Sequence, residues 1–287
     1  MKKYKTNAVY IKELKQSVRS LKFPATVGLY CFILAVIGLF TLVAMSASGY
    51  TLYNSYTIKQ DFVIFCSILF GLEFSLVIFV VPAITGGTIS SEKDHGTLDI
   101  LIATSLGTTR IIIGKLLSAI SKLMMYVVSS LPILALVFTM GGASLATLAK
   151  YILLIILTAV YIGSFGILMS VIYRKTSTAT AITYIWVMFI TLGTIFITFI
   201  SNMLSLTDNR FLNPIFLLNP VVSLFALLDA QIGLPDVIGN YIEFQNNTDF
   251  LMKNWFSISL ITQVVITIIN ISLANYILNP FRFGARK

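Results

Sequence analysis

Six long apolar runs, separated by shorter and more polar segments, dominate the pattern of the sequence. A hydrocarbon core about 30 Å thick needs about 20 apolar residues for each helical crossing, and every run exceeds that length. The pattern therefore predicts an all-α polytopic membrane protein with six transmembrane helices. Their predicted bounds are Pro24–Ala47, Phe62–Ile89, Ile111–Met140, Leu148–Tyr173, Ala179–Leu204 and Trp255–Leu278. Pro82, Gly86, Gly87 and Pro132 lie inside these runs, where we expect kinks rather than helix ends.

Residues 1–23 precede the six-helix domain of residues 24–287 and carry a different pattern. Ile11, Leu14, Val18 and Leu21 recur at helical spacing, and lysine and arginine occupy the remaining face. This arrangement is typical of an amphipathic helix that lies in the inner headgroup layer, with membrane lipid as its partner. A basic juxtamembrane anchor without a defined helix is the alternative, and the pattern leaves it open.

The segment before the last span, residues 205–254, is the longest outer segment and is half apolar. Within it, Phe211–Leu218 and Val221–Leu228 are too short to cross a bilayer but too hydrophobic for a solvated loop. We therefore predict extracellular re-entrant or interfacial helices there. Asn219 and Pro220 between them predict the turn at which the chain changes direction.

The composition excludes a soluble protein. Of 287 residues, 57% are hydrophobic and 11% are charged, whereas soluble proteins carry about 25% charged residues. After six spans, the chain has no room for a separate folded catalytic domain.

The basic residues predict the orientation of the chain, because cytoplasmic loops carry an excess of lysine and arginine. With the N-terminus inside, both termini are cytoplasmic, and all but four of the 20 basic residues lie inside. The four exceptions are Lys59, Lys150, Arg210 and Lys253. Because the inner basic residues are spread over four segments, the net charge of +9 indicates topology and not nucleic-acid binding.

A search for catalytic residues finds almost none. The single histidine, His95, cannot build a two-histidine metal site or a Ser-His-Asp triad, and the two cysteines lie in apolar runs. We therefore expect no catalytic residue, metal site or cofactor site on this chain. Glu73 is the one acidic residue well inside a span, about 16 Å from Phe62 at 1.5 Å per residue. It is a candidate for the transport path, and a structural interhelical hydrogen bond is the alternative.

The second inner segment, residues 90–107, is the most informative part of the sequence. Its first half is charged, and its second half is amphipathic, with Leu98 and Leu101 at helical spacing. Gly96 can supply backbone freedom, and Thr97 can cap a helix that starts there. Such a helix could bind a soluble partner, although an amphipathic loop lying on the membrane fits the same pattern.

This segment resembles a known signature. The pattern E-x-x-x-G-T-L-[ED]-x-L-x-[AT]-[TS]-P of type-2 ATP-binding-cassette exporter permeases is matched by Glu92, Gly96, Thr97, Leu98, Asp99, Leu101, Ala103 and Thr104, followed by Arg110, Gly114 and Lys115. One departure is Leu106, near the position where the family often has proline. The six spans, the N-terminal helix and the Asn219-Pro220 element are also similar to that family, so the resemblance covers nearly the whole chain.

The resemblance implies a permease subunit that couples ATP hydrolysis on a separate polypeptide to export. The implied partners are a cytoplasmic ATP-binding subunit, which would hold ATP and Mg²⁺, and a second permease, identical or related. The implied location is the plasma (inner) membrane of a bacterium. The residues implied to form a cytoplasmic coupling helix that contacts the ATPase are Glu92, Gly96, Thr97, Leu98, Asp99, Leu101, Ala103 and Arg110. A gradient-driven secondary transporter or channel is the alternative, but it would call for inverted repeats or several intramembrane charges.

Overall fold

The computed structural model describes residues 10–11, 22–47, 55–98, 107–141, 145–203, 213–232 and 255–279. Within these ranges the chain is helical apart from short turns, and they contain no strand. The helices in chain order are α1 (Lys22–Ala47), α2 (Ser55–Thr85), α3 (Ser90–Asp94), α4 (Thr108–Gly141), α5 (Leu145–Ile172), α6 (Thr176–Met188), α7 (Thr194–Met203), α8 (Pro220–Ile232) and α9 (Trp255–Leu278). A π-helical turn, Phe189–Gly193, joins α6 to α7, and a 3₁₀ helix, Asn213–Leu218, precedes α8.

Six spans are confirmed by length and hydropathy: α1, α2 with α3, α4, α5, α6 with α7, and α9. Pro82 and Pro132 lie within continuous helices, as expected where neighbouring groups compensate the missing N–H. At Gly86 and Gly87 the prediction was wrong, because α2 ends at Thr85 and a turn covers residues 86–89.

The fifth span contains a π-helical turn that hydropathy did not predict. Over Phe189–Gly193 the helix widens before α7 continues it. A π turn changes the backbone hydrogen bonding from i→i+4 to i→i+5 without changing the apolar character of the run. The hydropathy pattern therefore has no signal for it.

Helix α5 is the centre of the bundle, and α1 is peripheral. In the candidate membrane-spanning part of α5, 61% of the residues are buried inside the bundle, whereas in that of α1 only 11% are buried. Leu154 and Ile155 on α5 are fully buried in a core that also contains Phe70 and Phe74 of α2. A second apolar cluster joins the ends of α4, α5 and α9 around Ile89.

Large apolar side chains cover the outside of the bundle. Phe32 and Phe40 on α1 are 66% and 73% exposed, and Phe196 on α7 is 62% exposed. Soluble monomers rarely expose this much apolar surface, whereas in a membrane protein the lipid bilayer surrounds such a surface. The exposure agrees with a multi-pass membrane protein.

The N-terminal amphipathic helix and most of the outer segment lie outside the described residues. Of residues 1–23, the structure describes Tyr10 and Ile11, both helical, and the beginning of α1. The Tyr10 hydroxyl lies 3.1 Å from the Ser121 hydroxyl on α4. The amphipathic character of this region stays a prediction.

Candidate functional site

The second inner segment begins at a close contact between α2 and α6. A Cβ atom added at Gly86 would lie 2.8 Å from the Thr180 Cα and 2.9 Å from the Pro82 carbonyl oxygen. Only glycine allows the end of α2 to approach the α6 backbone this closely. The glycine therefore sets where the chain leaves the bundle and enters the segment.

Ser170, at the last turn of α5, holds the start of the segment. Its hydroxyl oxygen accepts hydrogen bonds from the backbone N–H groups of Ile89 and Ser90, both at 2.7 Å. A serine oxygen has two lone pairs, so one side chain can satisfy both donors. Lys93 adds a further contact by donating from Nζ to the Val171 carbonyl, near the C-terminal end of α5 where cations are favoured.

A buried ion pair joins the segment to α4. The Lys115 ammonium donates to Glu92 Oε1 at 2.8 Å and to the Thr88 carbonyl at 2.9 Å. The Lys115 side chain is 3% exposed and that of Glu92 is 27% exposed. Glu92 thus directs its carboxylate toward α4, where it compensates a charge that would otherwise be costly to bury. Its observed contact is with the bundle, and this contact determines where the segment sits.

Asp94 joins the segment to α6. Its Oδ2 accepts hydrogen bonds from the backbone N–H of Thr176 at 3.0 Å and from the Thr176 hydroxyl at 3.2 Å. Thr176 is the first residue of α6. The segment therefore contacts three helices through three different side chains.

The segment turns back at Gly96, which adopts φ of +67°. This left-handed conformation is accessible to glycine at little cost and confirms the backbone freedom predicted for it. The Thr97 N–H then donates to the Glu92 carbonyl at 2.9 Å, which closes the turn. Leu98 is half-buried and packs on the apolar cluster around Ile89.

The structure describes only one of the remaining predicted coupling residues. Asp99, Leu101 and Ala103 lie outside the described residues. Arg110 is exposed on the first turn of α4. Of the predicted set, the structure brings together Glu92, Gly96, Thr97 and Leu98.

Sequence reasoning missed Ser170 and Thr176 as partners of the segment. They lie about 80 residues along the chain from the groups that they bind. Ser170 is a single hydroxyl residue near the end of a predicted span, and Thr176 is the first of three consecutive hydroxyl residues just before the next span. No local pattern could have singled them out.

Glu73 lies in the interior of the bundle and is 0% exposed. Its Oε1 accepts from the Ser130 hydroxyl at 2.5 Å and the Tyr30 hydroxyl at 3.4 Å, and its Oε2 accepts from the Tyr151 hydroxyl at 3.1 Å. These partners belong to α4, α1 and α5, so one carboxyl group contacts three neighbouring helices. The geometry supplies the interhelical hydrogen bonds that were the alternative to a transport-path role.

Asn219 occupies the predicted turn between the 3₁₀ helix and α8, followed by Pro220 at the first position of α8. Its Oδ1 accepts from the Val221 N–H at 2.9 Å. Its amide donates to the Thr191 carbonyl at 3.0 Å and to the Thr194 hydroxyl at 2.8 Å. Thr191 lies within the π turn, where the shifted hydrogen bonding of the backbone makes a carbonyl accessible to an outside donor. Asn219 thereby joins the outer segment to the fifth span.

A small polar cluster also attaches α8 to α9. The hydroxyls of Ser223 and Ser259 are 2.6 Å apart, and the Gln263 amide lies 3.3 Å from the Ser223 hydroxyl. All three residues are buried. Polar pairs of this kind hold helices together in a bilayer, where apolar packing alone has little driving force.

Comparison with known protein families gives a match over nearly the whole chain. The family described as "ABC-2 family transporter protein" matches residues 7–284. No curated protein matches the sequence.

Proposed function

The chain belongs to the ABC-2 transporter family of membrane proteins, and from that premise we propose that it is the permease subunit of an ATP-driven exporter. ATP and Mg²⁺ bind to a separate cytoplasmic ATPase subunit. The permease pairs with a second copy of itself or a related chain. Both termini are cytoplasmic and the host membrane is the bacterial plasma membrane, in keeping with the distribution of lysine and arginine.

The observation that carries this proposal is the anchoring of the second inner segment. Glu92, Ser90 and Asp94 bind Lys115, Ser170 and Thr176, which belong to three helices of the bundle. A solvated loop that only connected two spans would not need polar contacts to three helices, of which those of Ser90 and Glu92 are buried or partly buried. A segment that receives force from a partner does need them.

The contacts suggest how force passes into the membrane. ATP binding closes the two ATPase subunits, and the segment moves with the subunit on which it docks. Because a buried ion pair and backbone hydrogen bonds resist separation, α4 and α5 move with it as rigid bodies. The alternating opening of a path between two permeases follows from that movement.

The gradient-driven alternative receives no support from the family match. A secondary transporter would use several charged groups inside the membrane. In the described spans Glu73 is fully buried and bonded to hydroxyls. We therefore retain Glu73 as a structural group, and its part in a transport path stays a hypothesis.

The test is co-purification of the permease with the ATPase encoded beside it, followed by measurement of ATP hydrolysis. Gly96→Pro imposes φ near −65° on a residue at +67° and should distort the segment. Leu98→Asp combined with Leu101→Asp should remove its apolar face. His95→Ala is the matched control, because His95 is an exposed neighbour in the same turn.

We expect both altered segments to lose ATPase association or permease-dependent hydrolysis while still inserting into the membrane, and His95→Ala to behave like the native chain. If no ATPase co-purifies with the native permease, or if the altered segments keep full coupling, the proposal fails. Transport that depended on an ion gradient without ATP would favour the secondary transporter instead.

A further inference from the structure

The beginning of α6 lacks a cap from its own sequence. The first N–H groups of any helix have no partner within the helix, and a side-chain oxygen at the N-cap position usually supplies one. Here the N-cap residue is Lys175, which makes no capping hydrogen bond. A lysine side chain has no acceptor to offer.

Asp94 supplies the missing acceptor from another part of the chain. Its carboxylate binds both the N–H and the hydroxyl of Thr176, the first residue of α6. A negative charge is also favourable at this end, because the helix dipole is positive at the N-terminus. The cap therefore depends on a residue 82 positions earlier in the chain.

This contact differs in kind from the packing contact at Gly86, and it joins the segment itself to α6, whereas the hydrogen bond from the Tyr184 hydroxyl to the Phe79 carbonyl joins α2 to α6. Gly86 and Thr180 touch through van der Waals packing, which resists compression but offers little resistance to separation. The two hydrogen bonds of Asp94 resist separation. Movement of the segment away from α6 would therefore displace α6 through the Asp94 hydrogen bonds, and only weakly through the packing contact at Gly86.

We propose that Asp94 is a positioning residue that transmits movement of the second inner segment into α6, separately from the path through Glu92 and Lys115 into α4. The inference rests on the proposed function, since it assumes that an ATPase moves the segment. Through α6 the movement reaches the π turn and Asn219, and so the outer segment. Movement of the second inner segment would then displace both the inner end of α6 and the outer segment.

The experiment uses the permease–ATPase complex with single cysteine reporters. Cys31→Ser and Cys66→Ser first remove the native thiols. Thr178→Cys reports on α6, where the position is exposed two residues past Thr176. Gly107→Cys reports on the start of α4, where an added Cβ meets no atom within 4 Å. The readout is the rate of labelling by a water-soluble maleimide, with and without Mg-ATP plus vanadate.

In the native background we expect trapping to change the labelling rate at both reporters. Asp94→Ala should remove most of the change at the α6 reporter and leave the α4 reporter unchanged. Asp94→Asn, which keeps an acceptor oxygen, should restore most of the α6 response, and His95→Ala should alter neither reporter. Thr176→Val, which keeps the N–H but loses the hydroxyl, provides a milder second variant if Asp94→Ala does not fold.

The outcomes separate this inference from the proposed function. If the α6 response in Asp94→Ala, or in Thr176→Val should Asp94→Ala not fold, equals that of the native complex, Asp94 does not transmit movement and the inference is wrong. If both reporters lose their response together, the two paths are not separate and the inference is again wrong. If neither reporter responds in the native complex, the ATP-coupled function itself fails. Selective loss at α6 with rescue by asparagine supports the inference, because a merely structural defect would not discriminate between the reporters.

Discussion

Removing the carboxylate of Glu92 tests the ion pair on which the second inner segment depends. Glu92→Ala leaves the Lys115 ammonium 3% exposed, with the Thr88 carbonyl still 2.9 Å away but without its counter-charge. Breaking a buried pair by removing one partner costs about 3 to 5 kcal/mol. Because Glu92 itself is 27% exposed, water can reach the vacated site, and we expect the lower end, about 3 kcal/mol.

A loss of about 3 kcal/mol corresponds to a fall in Tm of roughly 6 to 12 °C for a chain of this size. The assay is thermal unfolding of the detergent-solubilised permease, read as an operational midpoint at one scan rate. Lys115→Met removes the buried ammonium but takes the counter-charge from the Glu92 carboxylate, whose Oε2 is itself buried without a hydrogen-bond partner, so it should lower Tm as well.

A double-mutant cycle shows whether the two side chains act as a pair. In Glu92→Ala with Lys115→Met no charge is left uncompensated, so the combined loss should be clearly smaller than the two single losses added together. Strict additivity would refute the reasoning, because it would mean that the two charges do not interact across 2.8 Å. Hydrolysis by the complex, measured on the same variants, reports whether the pair also matters for coupling.

Three further predictions concern the interior of the bundle. Gly86→Ala should lower Tm because its Cβ would lie 2.8 Å from the Thr180 backbone, whereas Gly28→Ala, with no atom within 4 Å, should be close to neutral. Asn219→Ala should cost about 1 to 3 kcal/mol in thermal unfolding, since it removes the two buried hydrogen bonds that join Asn219 to Thr191 and Thr194 of the fifth span. Glu73→Gln should keep most of the native Tm because an amide oxygen can still accept from hydroxyls, while Glu73→Leu should reduce the free energy of unfolding by about 1 to 3 kcal/mol and lower Tm accordingly. Equal midpoints for the two Glu73 variants would contradict the hydrogen-bond role.

The long apolar runs of the sequence predicted the six spans, because the thickness of the bilayer sets the minimum length of each apolar run. Helix ends were harder to predict. At Gly86 the expectation of a kink rested on the rule that neighbouring side chains can bond the backbone groups that a helix break leaves without partners. The Ser170 hydroxyl does accept from two such N–H groups, but these groups lie at a turn and not in a continuing helix. The rule predicted that the backbone would be satisfied and could not say in which conformation.

The functional site was predictable only in part. Gly96 was identified because a positive φ demands a residue without a side chain, so the need is local to one position. Glu92 was identified by its position in a signature, but its partner Lys115 belongs to another helix. Thr176 was not identified at all, since capping by Asp94 from a distant segment leaves no mark on the residues around Thr176.

Glu73 and Glu92 each bond neighbouring elements together, and these contacts divide the bundle into parts that should move together. Glu73 bonds α2 to α1, α4 and α5 near the middle of the bundle, and Glu92 bonds the second inner segment to α4 at its inner end. Helices α2, α4 and α5 are thus held at two depths, and relative movement among them would break buried polar contacts at both. Helix α6 is held at its inner end by packing at Gly86 and by the two exposed hydrogen bonds of the Asp94 cap, and the buried polar contacts at Glu73 do not include it. Movement imposed on the segment should therefore appear first as a displacement of α6 against a unit of α2, α4 and α5.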